Sequence, residues 1–595
     1  PSAALALLCS SAAAVVVWKW LGKRQIQKQM EEARRTRDEG VKKIAKAVQQ
    51  FREQVPSVQT DAILSLPLLE LTGRLQEGSL SPKTVLYTYL EKALEVTQQT
   101  NCLRHFIPEC EEQLQEIQQQ REKGLLYGIP VSIKDHISHK GHLSTCGLVQ
   151  RLGTPVQEDS ILVKVLKRQG AIPFAMTNVP QSLFNYDCSN QKKGQTLNPF
   201  NHQKSPGGSS GGEGALIAGG GSILGIGSDV GGSIRLPSSF CGLCGLKPTA
   251  ERLRVWCTRL LNEKKCSRPT PVPCALGPMA RDVDSLALCM KALLCQEMFQ
   301  LDPTVPPIPF DEEVYSSSAP LRVGYYDTDG YFLLPPCMRR VVQETRGALQ
   351  AAGHQLVPFS PPRIHYVMTE LFLKTFFADG GILRFLRKGK QLLWHDPLLL
   401  SSLSTGGIVD PSLKSQVNSC KIPRLGKKLL ALILKPLVRY KQFLLLLKLK
   451  NVAMISTCRS VKEMWNHHHE IEVYRTEFIA QWRELQLDVV LCPVLGPAFT
   501  TGYPGKLLTA ISSTMLYNVL NFPAGVVPVS TVTEADEEEL KLYRGFCDDP
   551  WDRTLKQAVA GAAGLPVAVQ CVALPWREEL CLRLMKEVET LSREK

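Results

Sequence analysis

The chain lacks the devices by which small, fibrous or disordered proteins are recognised. It has no internal repeat and no long low-complexity tract, which excludes solenoids, collagen-like fibres and chains that cannot bury a core. Its 19 cysteines are an odd number with no repeated spacing. The single C-x-x-C, Cys241 and Cys244, has no second pair and no histidine at metal-ligand spacing. That excludes a disulfide framework and leaves free, mostly buried thiols in a reducing compartment, with Cys241 and Cys244 packed beside a glycine loop. Zinc-finger spacing and aromatic RNA-binding motifs are also missing, so the formal charge of +14 does not read as a nucleic-acid footprint. No lysine follows either glycine cluster as a phosphate-cradling loop needs. Gly225 to Gly231, GIGSDVG, has the wrong last spacing for a dinucleotide fingerprint and no clear acidic partner about 20 residues on. No cofactor and no metal is expected.

What remains is an ordinary globular composition, 44% apolar and 21% charged, in a length that admits several domains or one large α/β domain. Much of the positive charge lies in residues 19–46 and 421–450, both beside strongly apolar stretches. This points to a lipid bilayer rather than to nucleic acid as partner. Residues 2–18, SAALALLCSSAAAVVVW, are uncharged and just short of the roughly 20 residues that cross a bilayer. A secretory signal would carry its charge before the apolar run; here Lys19, Lys23, Arg24 and Lys28 follow it. The positive-inside rule then reads residues 1–20 as a single transmembrane anchor with the rest of the chain facing the cytoplasm, a cleaved signal being the alternative. Since the chain begins at Pro1 rather than Met, a few residues are expected to precede it. Residues 21–60 read as a basic juxtamembrane helix and 61–592 as the main globular domain. Within the latter, residues 425–449 (LGKKLLALILKPLVRYKQFLLLLKL) are a cationic, leucine-rich segment suited to the membrane interface, with a buried helical hairpin as the alternative.

Along the domain, β-like and α-like segments alternate. PLLELTGRLQEGSLSPKTVLYTYLEKALEV reads as two amphipathic helices joined at Ser-Pro. GIPVSIK, AIPFAMTN, SILGIGS, LRVGYYD, LDVVLCPV, AGVVPVS and LPVAVQCVA read as strands, with helices SILVKVLKRQG, GEGALIAGG, the run after Asp282 and PPCMRRVVQETRGALQAAG between them. Such alternation is the pattern of an α/β fold. His467, His468, His469 and Glu470 are consecutive and therefore point around a helix rather than to one metal.

The densest glycine and serine run lies between Lys204 and Thr249. Its apolar centre, ALIAGGGSILGIG, and its fixed charges Asp229 and Arg235 set it apart from a flexible linker. Gly207 to Gly211, GGSSG, matches the nucleophile elbow of α/β-hydrolases, but the residues before it, NPFNHQKSP, are polar and proline-broken where that elbow needs a strand. Upstream, Lys134 ends an apolar strand, an odd place for a residue almost never buried unpaired, though its chain can snorkel to the surface.

A strand-end lysine in GIPVSIKD, a first serine in SPGGSSGGEGA and a second in GIGSDVGGSIRLP, followed by CGLCGLKPT, LGPMARDV, NFPAGVVPV and GLPVAVQCVALPW, resemble the amidase-signature family over roughly residues 65 to 590. NYDCSN, KALLC, LDPTVPP and HEIEVYR narrow the resemblance to its membrane-bound, lipid-cleaving branch. The resemblance implies a large mixed twisted sheet covered by helices on both faces, and a serine amidase acting on fatty-acid amides. Substrates would be N-acylethanolamines such as anandamide and primary amides such as oleamide, cleaved to free fatty acid plus amine or ammonia. It implies Ser233 as nucleophile, Ser209 as relay and Lys134 as base. Backbone N–H groups of Val230, Gly231, Gly232 and Ser233 would form the oxyanion hole. Leu183, Phe184 and Tyr186 would line the acyl channel, residues 425–449 would be its membrane cap, and a cis peptide would join Gly208 to Ser209. A homodimer on endoplasmic-reticulum or another intracellular membrane is implied as well. For Lys134 to act as a base, burial must lower its pKa well below the free value of about 10.4. Residues 250–275 and 409–424 depart from the family pattern, which leaves open an impaired relative that only binds lipid. A soluble glutamine-directed amidase is the other rival, against which the anchor and cap speak.

Overall fold

Among the described residues the apolar runs of the sequence form one large sheet, with a small hairpin beside it. The computed structural model describes residues 2–120, 122–153, 155–253, 271–377, 409–414 and 460–594. In chain order the strands are β1 (Leu103–Phe106), β2 (Pro130–Lys134), β3 (Ile172–Thr177), β4 (Ser189–Asn190), β5 (Gly194–Gln195), β6 (Leu224–Asp229) and β7 (Cys244–Lys247). They continue as β8 (Ala275–Ala280), β9 (Arg322–Tyr325), β10 (Gln355–Pro358), β11 (Val489–Pro493), β12 (Ala524–Thr531) and β13 (Pro566–Ala573). Except for the small hairpin β4–β5, they align as β1-β3-β2-β6-β8-β7-β12-β13-β11-β9-β10. Neighbours β3–β2–β6 and β10–β9–β11 run parallel, and the remaining pairs antiparallel. The sheet is mixed, as expected. Successive strand residues point to opposite faces, and β2, β3, β6, β8 and β11 are buried at every position. Both faces of these strands are therefore covered.

Parallel neighbours need a crossover, and helices Ile161–Arg168 and Gly211–Ala218 lie in the connections from β2 to β3 and from β3 to β6. Because β2 and β6 are parallel in the register Ile133↔Ile226, Lys134 at the end of β2 comes level with the last residues of β6. Antiparallel β8 begins at the same end, with Ala275 opposite Asp229. Three chain segments far apart in sequence thus converge beyond the carboxyl ends of two parallel strands, where open α/β sheets commonly place their ligands.

The helices follow local signals. Ser81 caps helix Pro82–Thr100, and Gly78 closes Leu68–Glu77 in the left-handed conformation, giving the expected pair. Asp282 caps Val283–Leu293. In helix Val461–Glu484 the three histidines do point apart: His467 is buried against Thr375 at 2.9 Å, whereas His469 is exposed.

Residues Ser2–Gln54 form one helix, about 80 Å long at 1.5 Å per residue. The expected division at residue 20 is therefore not a break in the backbone. Near its end Ile44, Val48 and Phe51 are buried, Phe51 stacks on Tyr87 at 4.6 Å, and Arg52 pairs with Glu91 at 2.7 Å. Toward its start Val17, Trp20 and Leu21 are exposed. Among the described residues no helix is long and apolar enough to cross a membrane. The expected cap at 425–449, and residues 254–270 and 415–424 of the divergent segments, lie outside the described residues.

Candidate active site

Lys134 is fully buried at the end of β2. Its Nζ donates to Ser209 Oγ at 2.8 Å, to Ser228 Oγ at 3.0 Å and to the Ser228 carbonyl at 3.1 Å. Burial lowers its pKa from 10.5 to about 8, against the opposing pull of Cys274 and Asp229. At neutral pH about a tenth of such lysines carry a free amine, against fewer than about one in a thousand for an unperturbed side chain. Snorkelling is ruled out: the amine is held in the interior by hydroxyl and carbonyl partners, with no bonded carboxylate among the described residues to keep it charged.

Ser209 follows a cis peptide at Gly208, as the family resemblance implied. Ser210 N–H donates to the Ser233 carbonyl at 3.1 Å, so the two serine loops touch one residue from Ser209. Ser233 is half-buried and its hydroxyl has no hydrogen-bond partner among the described residues. The sequence pattern thus brings together Lys134, Ser209 and the Ser233 loop, with Ser209 bonded to the lysine and Ser233 not.

Asp229 fixes the second loop. One carboxylate oxygen accepts from Gly232 N–H at 2.7 Å, Arg235 at 3.0 Å and Asn518 at 2.9 Å. The other accepts from Ile234 N–H at 3.0 Å and from the Arg235 guanidinium at 3.1 Å. Asp229 and Arg235 are both fully buried. Burial alone would raise the Asp229 pKa, but the Arg235 guanidinium more than offsets this and holds it well below the usual carboxylate range. Arg235 in turn donates to Thr514 carbonyl at 2.9 Å and Gln570 at 2.8 Å, and Thr514 Oγ1 donates to the Gly231 carbonyl at 2.8 Å. Gly232 has φ +123, and a Cβ there would meet Thr514 Oγ1 at 2.5 Å, so only glycine fits.

This clamp changes the expected donor set. Val230, Gly231 and Ser233 N–H make no hydrogen bond among the described residues, whereas Gly232 N–H is engaged by Asp229. Three main-chain donors are therefore available in half-open positions.

The expected channel residues fall in two places. Leu183 and Phe184 are half-buried in a turn where Ser182 and Leu183 both have positive φ. Tyr186 is buried: its hydroxyl donates to Leu507 carbonyl at 2.7 Å and its ring meets Phe499 edge-on at 5.9 Å. Its backbone lies behind Gly208, so it backs the Ser209 loop. Ser228, Thr514, Asn518 and Gln570 were not singled out in the sequence. Ser228 had a signal, a polar residue ending an apolar strand beside Asp229; the others come from segments about 280 residues downstream or more. Cys274, at the end of a divergent segment, faces Ser228 and Lys134, and burial pushes its thiol up to about 11. Cys241 and Cys244 are buried free thiols, and Cys241 points at the Pro206 carbonyl. Elsewhere Cys547, Asp549 and Asp552 lie close enough to share a metal ion, but the two carboxylates already cap helix Pro550–Val559 reciprocally.

Residues 84–582 match the Amidase family model. Fatty-acid amide hydrolase 1 of Sus scrofa is 49% identical over 99% of this chain and 96% of its own length. Vitamin D3 hydroxylase-associated protein of Gallus gallus is 57% identical over 79% of this chain and 95% of its own. Fatty acid amide hydrolase 1 of Caenorhabditis elegans is 37% identical over 94% and 93%. Among solved structures, a fatty acid amide hydrolase superposes with TM-score 0.73 at 24% identity, covering 95% of both chains. The family model over residues 84–582 and relatives 37–49% identical over nearly the whole chain establish that the chain belongs to the amidase family.

Proposed function

We propose that the protein hydrolyses fatty-acid amides, both N-acylethanolamines such as anandamide and primary amides such as oleamide, through an acyl-enzyme on Ser233. The observation that carries this reading is the buried Lys134 amine bonded to Ser209, in contact with the loop of a half-open Ser233 whose main-chain N–H groups are unpaired among the described residues. Relatives named for fatty-acid amides, matched nearly end to end, support the substrate class.

In this mechanism the neutral Lys134 amine takes the Ser209 proton as Ser209 takes that of Ser233, and Ser233 Oγ attacks the amide carbonyl carbon. Charge develops on the carbonyl oxygen, where Val230, Gly231 and Ser233 N–H would donate to it. Amide nitrogen leaves only when protonated. The Lys134 ammonium returns the proton through Ser209, the C–N bond breaks, and the acyl group stays on Ser233 as an ester. Water, activated by the same relay, then releases the fatty acid. No step needs a metal or cofactor.

The apolar start of helix Ser2–Gln54, with Val17, Trp20 and Leu21 exposed, supports attachment to an intracellular membrane with the catalytic domain on its cytoplasmic side, and the proposal extends to a homodimer there. An acyl chain partitions into lipid at about 0.8 kcal/mol per methylene, so the bilayer is the natural source of substrate. Labelling membrane fractions with a fluorophosphonate probe tests the reading. Ser233 should be labelled, oleamide should compete, and Ser233→Ala should not label. Equal labelling of that variant, or no competition by oleamide, would reject it.

A further inference from the structure

Beneath the Lys134–Ser209 contact lies a carboxyl that the mechanism above does not use. Glu213, in the first turn of helix Gly211–Ala218, is fully buried, four residues after Ser209. One oxygen, Oε2, contacts Ser132 Oγ; the other accepts from Thr177 Oγ1 at 2.9 Å. Ser132 is two residues before Lys134 on β2, and Thr177 is the partner of Lys134 across the β2–β3 register. The carboxyl thus ties the helix after Ser209 to the strand that carries Lys134 and to its neighbour β3. On the far side the fit is close: a Cβ at Gly225 would overlap Oε2.

The hydrogens of this network can be counted. Oε2 contacts Ser132 Oγ, Ser132 Oγ contacts Ser222 Oγ at 3.0 Å, and Ser222 Oγ contacts the Leu224 carbonyl at 2.9 Å. Three contacts require three hydrogens. The two serines supply two and a carbonyl supplies none, so the third sits on the carboxyl. Ser222 then donates to Leu224, Ser132 donates to Ser222, and Glu213 donates to Ser132. Among the described residues no guanidinium or ammonium is bonded to Glu213 that would stabilise an anion, and the attraction of a helix N-terminus is weak beside the desolvation of a bare charge. Burial pushes its pKa up to about 8, in agreement with the count.

We propose that Glu213 is a positioning residue for the amidase reaction: a buried carboxyl held as the neutral acid, which anchors the strand carrying Lys134 without giving the lysine a counter-charge. This rests on the reading of Lys134 as the base. An anion at 213 would hold Lys134 as ammonium, which cannot accept the Ser209 proton; an apolar residue would take the acceptor from Thr177 and leave Ser132 with Ser222 alone. The other titratable groups around the pair stay fixed near neutral pH. Cys102 faces Glu213 from ahead of β1, and burial raises its thiol to about 11. Facing Lys134, the thiols of Cys146, Cys188 and Cys274 are raised to about 12, 12 and 11. His136 is held neutral by burial, its pKa down to about 3, and Asp229 is matched by Arg235.

The test is the pH dependence of fluorophosphonate labelling of Ser233, which needs the nucleophile and its base but no amide substrate, alongside oleamide hydrolysis. In Glu213→Gln, a neutral isostere that cannot ionise as the pH nears 8, the midpoint of the acid limb falls by no more than about half a pH unit from wild type. In Ser222→Ala the Ser132 hydrogen is freed to donate to Glu213, which favours the carboxylate, so the midpoint moves up by roughly half a pH unit or more. The double variant Glu213→Gln/Ser222→Ala returns it to the wild-type position. A structural role alone would lower rates at every pH and leave the midpoints together. The inference is overturned if Glu213→Gln lowers the midpoint by about one pH unit, the mark of a lost anion, or if Ser222→Ala leaves it unmoved. Loss of oleamide turnover with labelling intact would refute the substrate class and not this role. Absence of labelling in wild type would remove the nucleophile and this inference together.

Discussion

If Lys134 is the base proposed above, the burial that lowers its pKa should weigh on the stability of the fold by a calculable amount. Its pKa is about 8 in the folded protein against 10.5 when exposed. At about 1.4 kcal/mol for each pH unit, holding this ammonium in the interior costs about 3 kcal/mol below pH 8, where the folded lysine is charged, and progressively less from there to pH 10.5. Lys134→Met removes that cost. It also leaves Ser209 and Ser228 without the donor they share, at about 1–2 kcal/mol in total. The variant should therefore be inactive yet as stable as wild type or about 1–2 kcal/mol more so at pH 7. The sign reverses with pH. Between pH 8 and 10.5 the unfolded state binds the extra proton, so wild-type stability rises through that window while the lysine-free variant gains nothing from it. Urea unfolding followed by tryptophan fluorescence at pH 7 and pH 10 measures both. A variant more than about 1 kcal/mol less stable than wild type at pH 7, or a difference that does not change between the two pH values, would refute the reasoning.

Other perturbations have equally definite outcomes. Asp229→Asn puts an amide NH2 against donors whichever way it is turned, because both oxygens already accept from main-chain N–H and Arg235; stability should fall by about 3–5 kcal/mol in a denaturant titration, with Ser233 labelling slowed at least about tenfold. The stability that Asp229 contributes is present above the ordinary carboxylate pKa near 3.8 and is lost as pH falls below it, so acid unfolding should be less steep in the variant. Ser209→Ala interrupts proton transfer without touching Ser233, and should slow labelling by about 10²–10⁴ with little change in stability. Wild-type activity should rise with pH toward about 8 as the Lys134 amine loses its proton.

Much of the site was legible because its chemistry is local. Glycine-rich loops, a serine in each and a lysine at the end of an apolar strand are visible without coordinates, and the strands containing Lys134 and Asp229 are buried runs of five and six residues. What stayed hidden depends on pairings distant in sequence. The insertion of β8 between β6 and β7 brings Cys274 beside Ser228, yet nothing in either strand specifies that neighbour. The carboxylate clamp on Gly232 N–H takes one donor out of the set that the motif alone implied. Glu213 looks from its sequence position like an exposed acid in the first turn of a helix; only the closing of that helix onto β2 and β3 buries it. Tyr186 likewise carries the aromatic character expected of a channel, while its hydroxyl bond to Leu507 fixes it in the wall.

The central claim is that Ser233 carries the acyl group between two half-reactions. Acid-quenching the enzyme during oleamide turnover and weighing its peptides by mass spectrometry tests this directly. The account predicts an oleoyl ester on the peptide containing Ser233, absent in Ser233→Ala and depleted in Lys134→Met. An acyl group on any other residue, or turnover by Ser233→Ala at the wild-type rate, would contradict it.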